Sequence, residues 1–446
     1  MSAKKLILAL IDGLTPKMLE AAVGSPGTPT LTFLAENGSY ARASSVFPSL
    51  TPVCVSSIVT GSYPDAHHIP HLVWYHRKER RLVEYGSSFG AIRRAGTRRS
   101  IRDAIFNMNR EHLSSEVSTL FESLDDAGLT PAAVNIPCYR GRTVHHPTIP
   151  GVSRPAVGPK RFFYYSLFES DVTGAPLAVR NRARGTVDDY AAAVGRWLVT
   201  RDGFDFLAYY LSDVDYLSHA YGPDGTREAI ERTDLALAAL VQAAGGPDEF
   251  LERYAVVLCS DHAQTRVDEA VRLQEPLRDV EGVVVTASNR AGMVYRLDDC
   301  PLDVSELASI VGRHPAIEAV SFLEEEEAVV ARDGEEVRLA PDGEGGWRIA
   351  GDGSLLDYPD ACARIWTALQ NPNAGELLVS PVTGVEFADL GGRHHAGGGS
   401  HGSLTAGDSE VPVLLVGVAG EPERIIDLAP LVLDHFELDS PLPADV

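Results

Sequence analysis

The chain is short of cysteine, of positive charge and of long apolar runs, and each shortage removes a class of function. Five cysteines are scattered over 446 residues, at Cys54, Cys138, Cys259, Cys300 and Cys362. Their number is odd and no two stand in a C-x-x-C pair, so no disulfide framework is readable. Free thiols in a reducing compartment are expected. No apolar stretch approaches the ~18 residues of a membrane-crossing helix. The opening "MSAKKLILALIDGL" has six apolar residues between its lysines and Asp12. That is too few for a signal peptide, and no small-residue cleavage site follows. Lys and Arg number 39 against 62 Asp and Glu, a net charge of −23. Such a field argues against a polyanionic partner, whether a nucleic acid polymer or an anionic membrane surface. A small phosphate compound stays open if local cations, metal ions included, override that field. The expectation is a soluble, cytoplasmic protein with no membrane or nucleic acid partner. Its oligomeric state leaves no signature.

What is present is a large apolar fraction, 44%, enough for a sizeable core. A chain of this length is expected to hold a core plus an insertion, or two domains. Short apolar runs alternate with helical patterns. "KKLILALI" reads as a buried strand and "TPTLTFLAENG", from Thr28, as a capped helix stopping at Gly38. "SSEVSTLFESLDDAG" reads as a helix and "TPAAVNI" as a strand. A helix in "VDDYAAAVGRWLVTR", a strand in "FDFLAYYL", a helix in "TREAIERTDLALAALVQAA" and a strand in "RYAVVLCS" follow. This alternation implies an α/β fold, a mostly parallel sheet with helices on both faces.

Between residues 266 and 390 the texture changes. "GVVVTASNRAGMVYRL", "AIEAVSFL", "EEAVVARDGEEVRLAP" and "GGWRIAGDG" read as hairpin strands with two helices interleaved. The segment 266–390 is expected to be a cap-like α+β insertion into a core of 1–265 and 391–446. "VPVLLVG", from Val411, returns to the buried-strand pattern.

Four places share one feature: polar metal-type ligands stand beside a buried strand. The first strand ends at Asp12. "FDFLAYYL" is followed by Asp215 and His219, four apart, and "RYAVVLCS" by Asp261 and His262. The glycine-rich "GGRHHAGGGSHG" carries His401 before the last core strand. In an open α/β sheet, ligands bind outside the carboxyl ends of the strands. Each element alone has a plain structural reading, as turn residue, cap or surface pair. Together, three Asp and three His suit borderline ions such as zinc, and six ligands suit two ions better than one tetrahedral site. Thr51 opens a small-residue run, "TPVCVSSIVTG". It is either the N-cap of a helix or a reactive hydroxyl facing the same edge.

These motifs resemble the alkaline phosphatase superfamily, and within it the type I phosphodiesterase/nucleotide pyrophosphatase branch. "ALIDGL" is similar to that family's first metal aspartate, and "FPSLTPVCVSSIVTGSYPDAHHI" to its nucleophile segment, with Thr51 in the nucleophile position. "DVDYLSHAYGP", "SDHAQT" and "SHG" resemble its remaining metal motifs, in family order along the chain. The resemblance implies an alkaline-phosphatase-like sandwich carrying two Zn2+, with Mn2+ or Fe as substitutes. One ion would take Asp215, His219 and His401, and the other Asp12, Asp261 and His262, joined by Thr51. It further implies a phosphoester hydrolase acting through a phospho-threonine on a small phosphate-ester or phosphonate substrate.

The chain departs from the family at Cys54. Nucleotide pyrophosphatases carry an Asn three residues after the nucleophile, donating to a phosphoryl oxygen. Cys54 holds that substrate-binding position here and is a poor donor. Arg140, Arg142, Lys160 and Arg161 lie on a segment that is the candidate to fold over the site and supply a cation. His67, His68 and His71 read as loop residues near the site, and His394 and His395 as neighbours of His401 rather than ligands. Rival readings are a phosphonoacetate-hydrolase-like C–P hydrolase, a phosphomonoesterase, and a non-catalytic binding protein. A sulfatase is excluded, because Cys54 lacks the Cys-x-Pro-x-Arg setting that formylglycine needs.

Overall fold

The computed structural model describes residues 3–148, 153–170 and 186–439. At its centre is an eight-stranded sheet. Its order is Ser39–Ser44, Glu410–Val416, Tyr254–Cys259, Lys5–Ile11, Phe206–Leu211, Pro131–Val134, Arg161–Tyr164, Phe168–Ser170. The strands from Tyr254–Cys259 through Arg161–Tyr164 run parallel, with Leu8 opposite both Ala208 and Val257. They are apolar on both sides because both sides are covered. Leu6, Leu8 and Leu10 pack with Val53, Val55 and Ile58 of the helix Thr51–Thr60. Ile7, Ala9 and Ile11 pack on the other face, with residues of the helices Val187–Thr200 and Arg227–Ala244. Alternate residues of one strand thus enter two cores. Each fully buried Leu or Ile contributes about 1.5–3 kcal/mol.

Glu410–Val416 runs antiparallel to Tyr254–Cys259. This direction was not readable from the apolar run, and it decides where His401 lies. The entry of an antiparallel strand sits at the carboxyl edge of its parallel neighbours, so the loop leading into it meets the other ligands there.

A second, seven-stranded sheet lies within the changed segment. Its order is Val283–Ser288, Ala291–Arg296, Leu377–Pro381, Ile317–Glu324, Glu327–Arg332, Glu335–Pro341, Trp347–Gly351, antiparallel throughout. The helix Val304–Gly312 covers one face through Leu307 and Val311, and Ala361–Gln370 the other through Ile365 and Leu369. The turn between the strands Val283–Ser288 and Ala291–Arg296 touches the His401 loop. Arg290 N–H donates to the His401 carbonyl (2.7 Å), and the Arg290 guanidinium pairs with Asp408 (2.8 Å), both side chains fully buried. A buried pair of this kind fixes geometry, since loss of either partner strands a charge.

Local readings needed correction in two places. The helix expected across "SSEVSTLFESLDDAG" spans only Leu120–Asp126, because Thr119 and Glu122 close a capping box there (3.2 and 3.0 Å). Thr28 does not cap the helix Pro29–Glu36; its hydroxyl donates to the Ala22 carbonyl at 2.5 Å. Among the described residues no helix is long and apolar enough to cross a membrane. The five cysteines are unpaired, four of them buried.

Candidate metal centre and active site

Each candidate ligand is placed by a strand end or a helix start. Asp12 follows Lys5–Ile11, and Asp261 and His262 follow Tyr254–Cys259. Asp215 and His219 lie one turn apart on the helix Asp213–Tyr221. Close approach of backbone is needed on both sides. Gly13 has φ +69°, and a Cβ there would lie 3.1 Å from the Asp215 Cβ. Gly402 has φ +124°, and a Cβ there would lie 3.2 Å from the Arg290 carbonyl carbon. Glycine adopts such positive-φ conformations at no steric cost, and here it also leaves room for the neighbouring backbone.

The six side chains form two groups, Asp215, His219 and His401, and Asp12, Asp261 and His262, in each of which ligand atoms lie within 4.8 Å of one another. In the first, Asp215 Oδ1 is 3.4 Å from His219 Nε2 and 3.7 Å from His401 Nε2. In the second, His262 Nε2 is 3.3 Å from Asp12 Oδ1 and 3.4 Å from Asp261 Oδ2. The groups adjoin. The His262 and His401 rings stack with centroids 3.5 Å apart and planes 10° off parallel. The second group is the deeper: Asp12, Asp261 and His262 are buried, whereas Asp215 and His219 keep some solvent contact.

The histidine tautomers follow from their partners. His219 Nδ1 meets the Gly399 carbonyl at 2.8 Å, His401 Nδ1 the Ser49 carbonyl at 2.8 Å, and His262 Nδ1 the Ala263 carbonyl at 3.1 Å. A carbonyl only accepts, so each Nδ1 carries the hydrogen and each Nε2 keeps its lone pair. That is the arrangement of a metal-ligating imidazole with a carbonyl behind it. Burial, then the neighbouring imidazoles His262 and His219, hold His401 well below the usual histidine range. Burial likewise lowers His219.

The carboxylates are poorly compensated by protein alone. Burial, then repulsion from Asp261 and Asp215, pushes Asp12 well above the ordinary aspartate range, and burial pushes Asp261 up. Asp12 Oδ1 and Asp261 Oδ2 are buried without a hydrogen-bond partner. Their other oxygens are anchored, Asp12 Oδ2 by the Tyr210 hydroxyl and Asp261 Oδ1 by Gly13 N–H at 3.4 Å. Gln264 Nε2 donates to Asp215 Oδ1. Converging carboxylates with orphaned oxygens, beside imidazoles with free lone pairs, fit bound cations.

Thr51 is the first residue of the helix Thr51–Thr60, with Leu50 in the N-cap position. Its hydroxyl caps nothing and instead meets His262 Nε2 at 3.1 Å. Of the two sequence readings, the cap is therefore not the one this geometry carries. Cys54 is fully buried. Its thiol faces Ser45 Oγ at 3.2 Å and is pushed well above the usual thiol range, by burial and then by Asp261.

Other flagged residues are engaged elsewhere. Arg140 and Arg142 pair with Glu122 at 3.0 and 2.8 Å, Lys160 with Asp125 at 2.9 Å, and Arg161 Nε donates to the Gly203 carbonyl at 3.0 Å. Asp213 lies by Arg232 at 3.6 Å, outside both groups. His67 and His71 are buried, each Nδ1 accepting a backbone N–H at 3.1 Å, from Ile69 and Val73. His395 stacks on His219 (centroids 4.0 Å) and is held at Nδ1 by the buried Glu386 at 3.1 Å. The residues missed by sequence reasoning are Asn289, Tyr210 and Gln264. Asn289 sits in the two-residue turn of a hairpin and places Nδ2 2.9 Å from His401 Nε2. In the sequence it reads only as a turn residue.

The mostly parallel central sheet with helices on both faces, together with the second antiparallel sheet, makes a mixed α/β fold. The family model for type I phosphodiesterase / nucleotide pyrophosphatase matches residues 6–403, and the chain belongs to that family. Human ectonucleotide pyrophosphatase/phosphodiesterase family member 7 is 22% identical over 281 residues, covering 60% of this chain and 49% of that protein. The chain thus spans about half the length of that curated relative. An inactive variant of murine ectonucleotide pyrophosphatase/phosphodiesterase 5, in complex with AMP, superposes with a TM-score of 0.65 at 14% identity, covering 100% of this chain and 98% of that one. Phosphonoacetate hydrolase from Sinorhizobium meliloti, in complex with phosphonoacetate, gives a TM-score of 0.63 at 19% identity, covering 97% and 96%. These superpositions show a shared fold.

Proposed function

We propose that the chain is a two-metal phosphoester hydrolase of the phosphodiesterase/nucleotide pyrophosphatase type, with Thr51 as nucleophile and zinc as the resident metal. The observation that carries this is the Thr51 hydroxyl, held at a helix N-terminus 3.1 Å from one of two adjoining ligand groups. Asp215, His219 and His401 would hold one ion, and Asp12, Asp261 and His262 the other. Bound there, the ions supply charge neutralisation of the entering and leaving oxygens and a lowered hydroxyl pKa.

Thr51 Oγ1 attacks phosphorus in line, its proton passes to solvent, and the bond to the leaving alcohol or phosphate oxygen breaks. This leaves a phospho-threonine. Water then cleaves the Thr51 ester, restoring the hydroxyl and releasing the phosphorylated product. Pro52 has no N–H, and the Val53 and Cys54 N–H groups bond the Leu50 carbonyl at 2.9 and 3.0 Å, so the Thr51 N–H and the helix dipole are what this helix start offers the phosphoryl oxygens. The 266–390 segment serves as the cap-like insertion that shapes the leaving-group side.

The substrate is a small phosphate ester, and we favour the diester. A monoester dianion calls for an additional cation, and Arg140, Arg142, Lys160 and Arg161, the basic residues singled out in the sequence, are committed to Glu122, Asp125, Asp126 and backbone carbonyls. A diester carries one negative charge on its non-bridging oxygens and manages with neutral donors and the metal pair. The test is a rate panel at matched leaving group: nitrophenyl monoester, nitrophenyl diester, a dinucleotide polyphosphate and phosphonoacetate. The diester is expected to lead in kcat/KM. A tenfold preference for the monoester, equivalent to ~1.4 kcal/mol of transition-state binding, overturns the diesterase reading. Phosphonoacetate as the one good substrate installs the C–P hydrolase alternative.

A further inference from the structure

We propose that Asn289 supplies the amide donor to the non-bridging phosphoryl oxygen, the role left vacant at Cys54. The inference rests on the phosphoester hydrolase reading above and adds a residue from the second sheet to that site.

The orientation of the amide is fixed by its neighbours. His401 Nδ1 donates to the Ser49 carbonyl, so His401 Nε2 is an acceptor. The Asn289 atom 2.9 Å from Nε2 is therefore the nitrogen, while Oδ1 turns to the Ser288 hydroxyl at 3.2 Å. An N–H pair thus aims at the metal-facing atom of a candidate ligand. Asn289 is buried. With the Nε2 lone pair committed to a metal ion, this amide loses its acceptor, and a buried donor without one costs free energy. The acceptor available at that spot is an oxygen of the bound phosphoryl group.

The donor is also held in place. Asn289 has φ +56°, a conformation that asparagine tolerates better than most residues. Its carbonyl accepts from Phe387 N–H at 2.7 Å. The next residue is pinned by its own N–H to the His401 carbonyl and by the buried pair with Asp408. The turn therefore moves with the His401 loop, and the donor is preorganised rather than recruited. Being neutral, it suits a singly charged diester. Cys54 cannot serve, since its thiol is buried against Ser45.

Asn289→Gly separates this role from a structural one, because glycine keeps the left-handed backbone and removes only the amide. Zinc-loaded wild type and Asn289→Gly are compared in three measurements: metal content, kcat/KM on a nitrophenyl diester, and affinity for orthovanadate in a Thr51→Ala background. The expected result is unchanged metal content, kcat/KM down about 10²–10³-fold, and vanadate affinity down about tenfold or more. Asn289→Asp restores the shape but not the donor and is expected to stay low. Kinetics and vanadate affinity within about threefold of wild type overturn the proposal. So does metal loss in parallel with activity, which makes Asn289 a support for His401. A wild type that hydrolyses no ester in the panel defeats the hydrolase reading itself, an outcome distinct from an active wild type matched by Asn289→Gly.

Discussion

Thr51→Ala is expected to lose on the order of 10³-fold or more in turnover while melting stays close to wild type; truncated nucleophiles elsewhere show losses of this size or greater. The stability half of this expectation comes from the helix geometry. The N-cap position belongs to Leu50, and no side chain caps this helix. Removing the Thr51 hydroxyl therefore deletes no capping bond, a loss that would cost ~1 kcal/mol. What it deletes is the contact with His262 Nε2 at 3.1 Å. The activity half follows from position. The hydroxyl opens a helix whose buried residues run from Pro52 to Thr60, so the residue is fixed by packing on one side and keeps partial exposure on the other. Thr51→Ser keeps the oxygen and is expected to retain measurable turnover. Turnover in Thr51→Ala within tenfold of wild type, or a destabilisation of several kcal/mol accompanying the loss, assigns the residue to structure instead. Both numbers come from one preparation, by steady-state kinetics and thermal melting.

Much of the centre was legible because buried parallel strands must be written as continuous apolar runs. "LILALI", "FLAYYL" and "YAVVLC" each stop at a polar residue, and those stops are the carboxyl edge where Asp12, Asp215, Asp261 and His262 stand. His401 was legible as a histidine in a glycine loop. Its place at the same edge depends on the antiparallel direction of Glu410–Val416, which no residue pattern states. The short strands Arg161–Tyr164 and Phe168–Ser170, the last two of the sheet, were missed, since three or four residues carry too little period to read. Asn289 escaped for a different reason. Its role comes from a contact with a residue 112 positions away, made by a hairpin belonging to the second sheet. The basic cluster at Arg140, Arg142 and Lys160 misled in the opposite direction. Charge alone could not reveal that Glu122 and Asp125 already face it.

Asp261→Asn is expected to reverse the sign of its stability effect according to whether metal is present. In the metal-free protein Asp261 is fully buried beside Asp12, with Oδ2 unpartnered and 3.4 Å from the lone pair of His262 Nε2. Burial raises the pKa of both carboxyls, and for Asp12 repulsion from Asp261 and Asp215 adds to it. The ionised pair is therefore a cost to the fold. Asparagine keeps the shape, keeps an oxygen for Gly13 N–H, and offers an N–H to His262 Nε2 or to the orphaned Asp12 Oδ1. Satisfying such a buried group contributes about 1–3 kcal/mol, so the chelated variant should outlast the chelated wild type in denaturant. With metal in excess the order inverts. A ligand present at a hundredfold over its Kd stabilises the folded state by about 2.7 kcal/mol, and the variant forgoes this at the deep site. Its metal content should fall from about two ions per chain to about one. Turnover should fall more than the ~10–100-fold typical of outer-shell changes, since a ligand rather than its support is removed. Denaturation curves with zinc and with chelator, each for both proteins, give four midpoints. Crossed midpoints place the cation between Asp12, Asp261 and His262. If Asp261→Asn is the less stable protein under both conditions and still binds two ions, Asp261 is a structural aspartate and the deep site lies elsewhere.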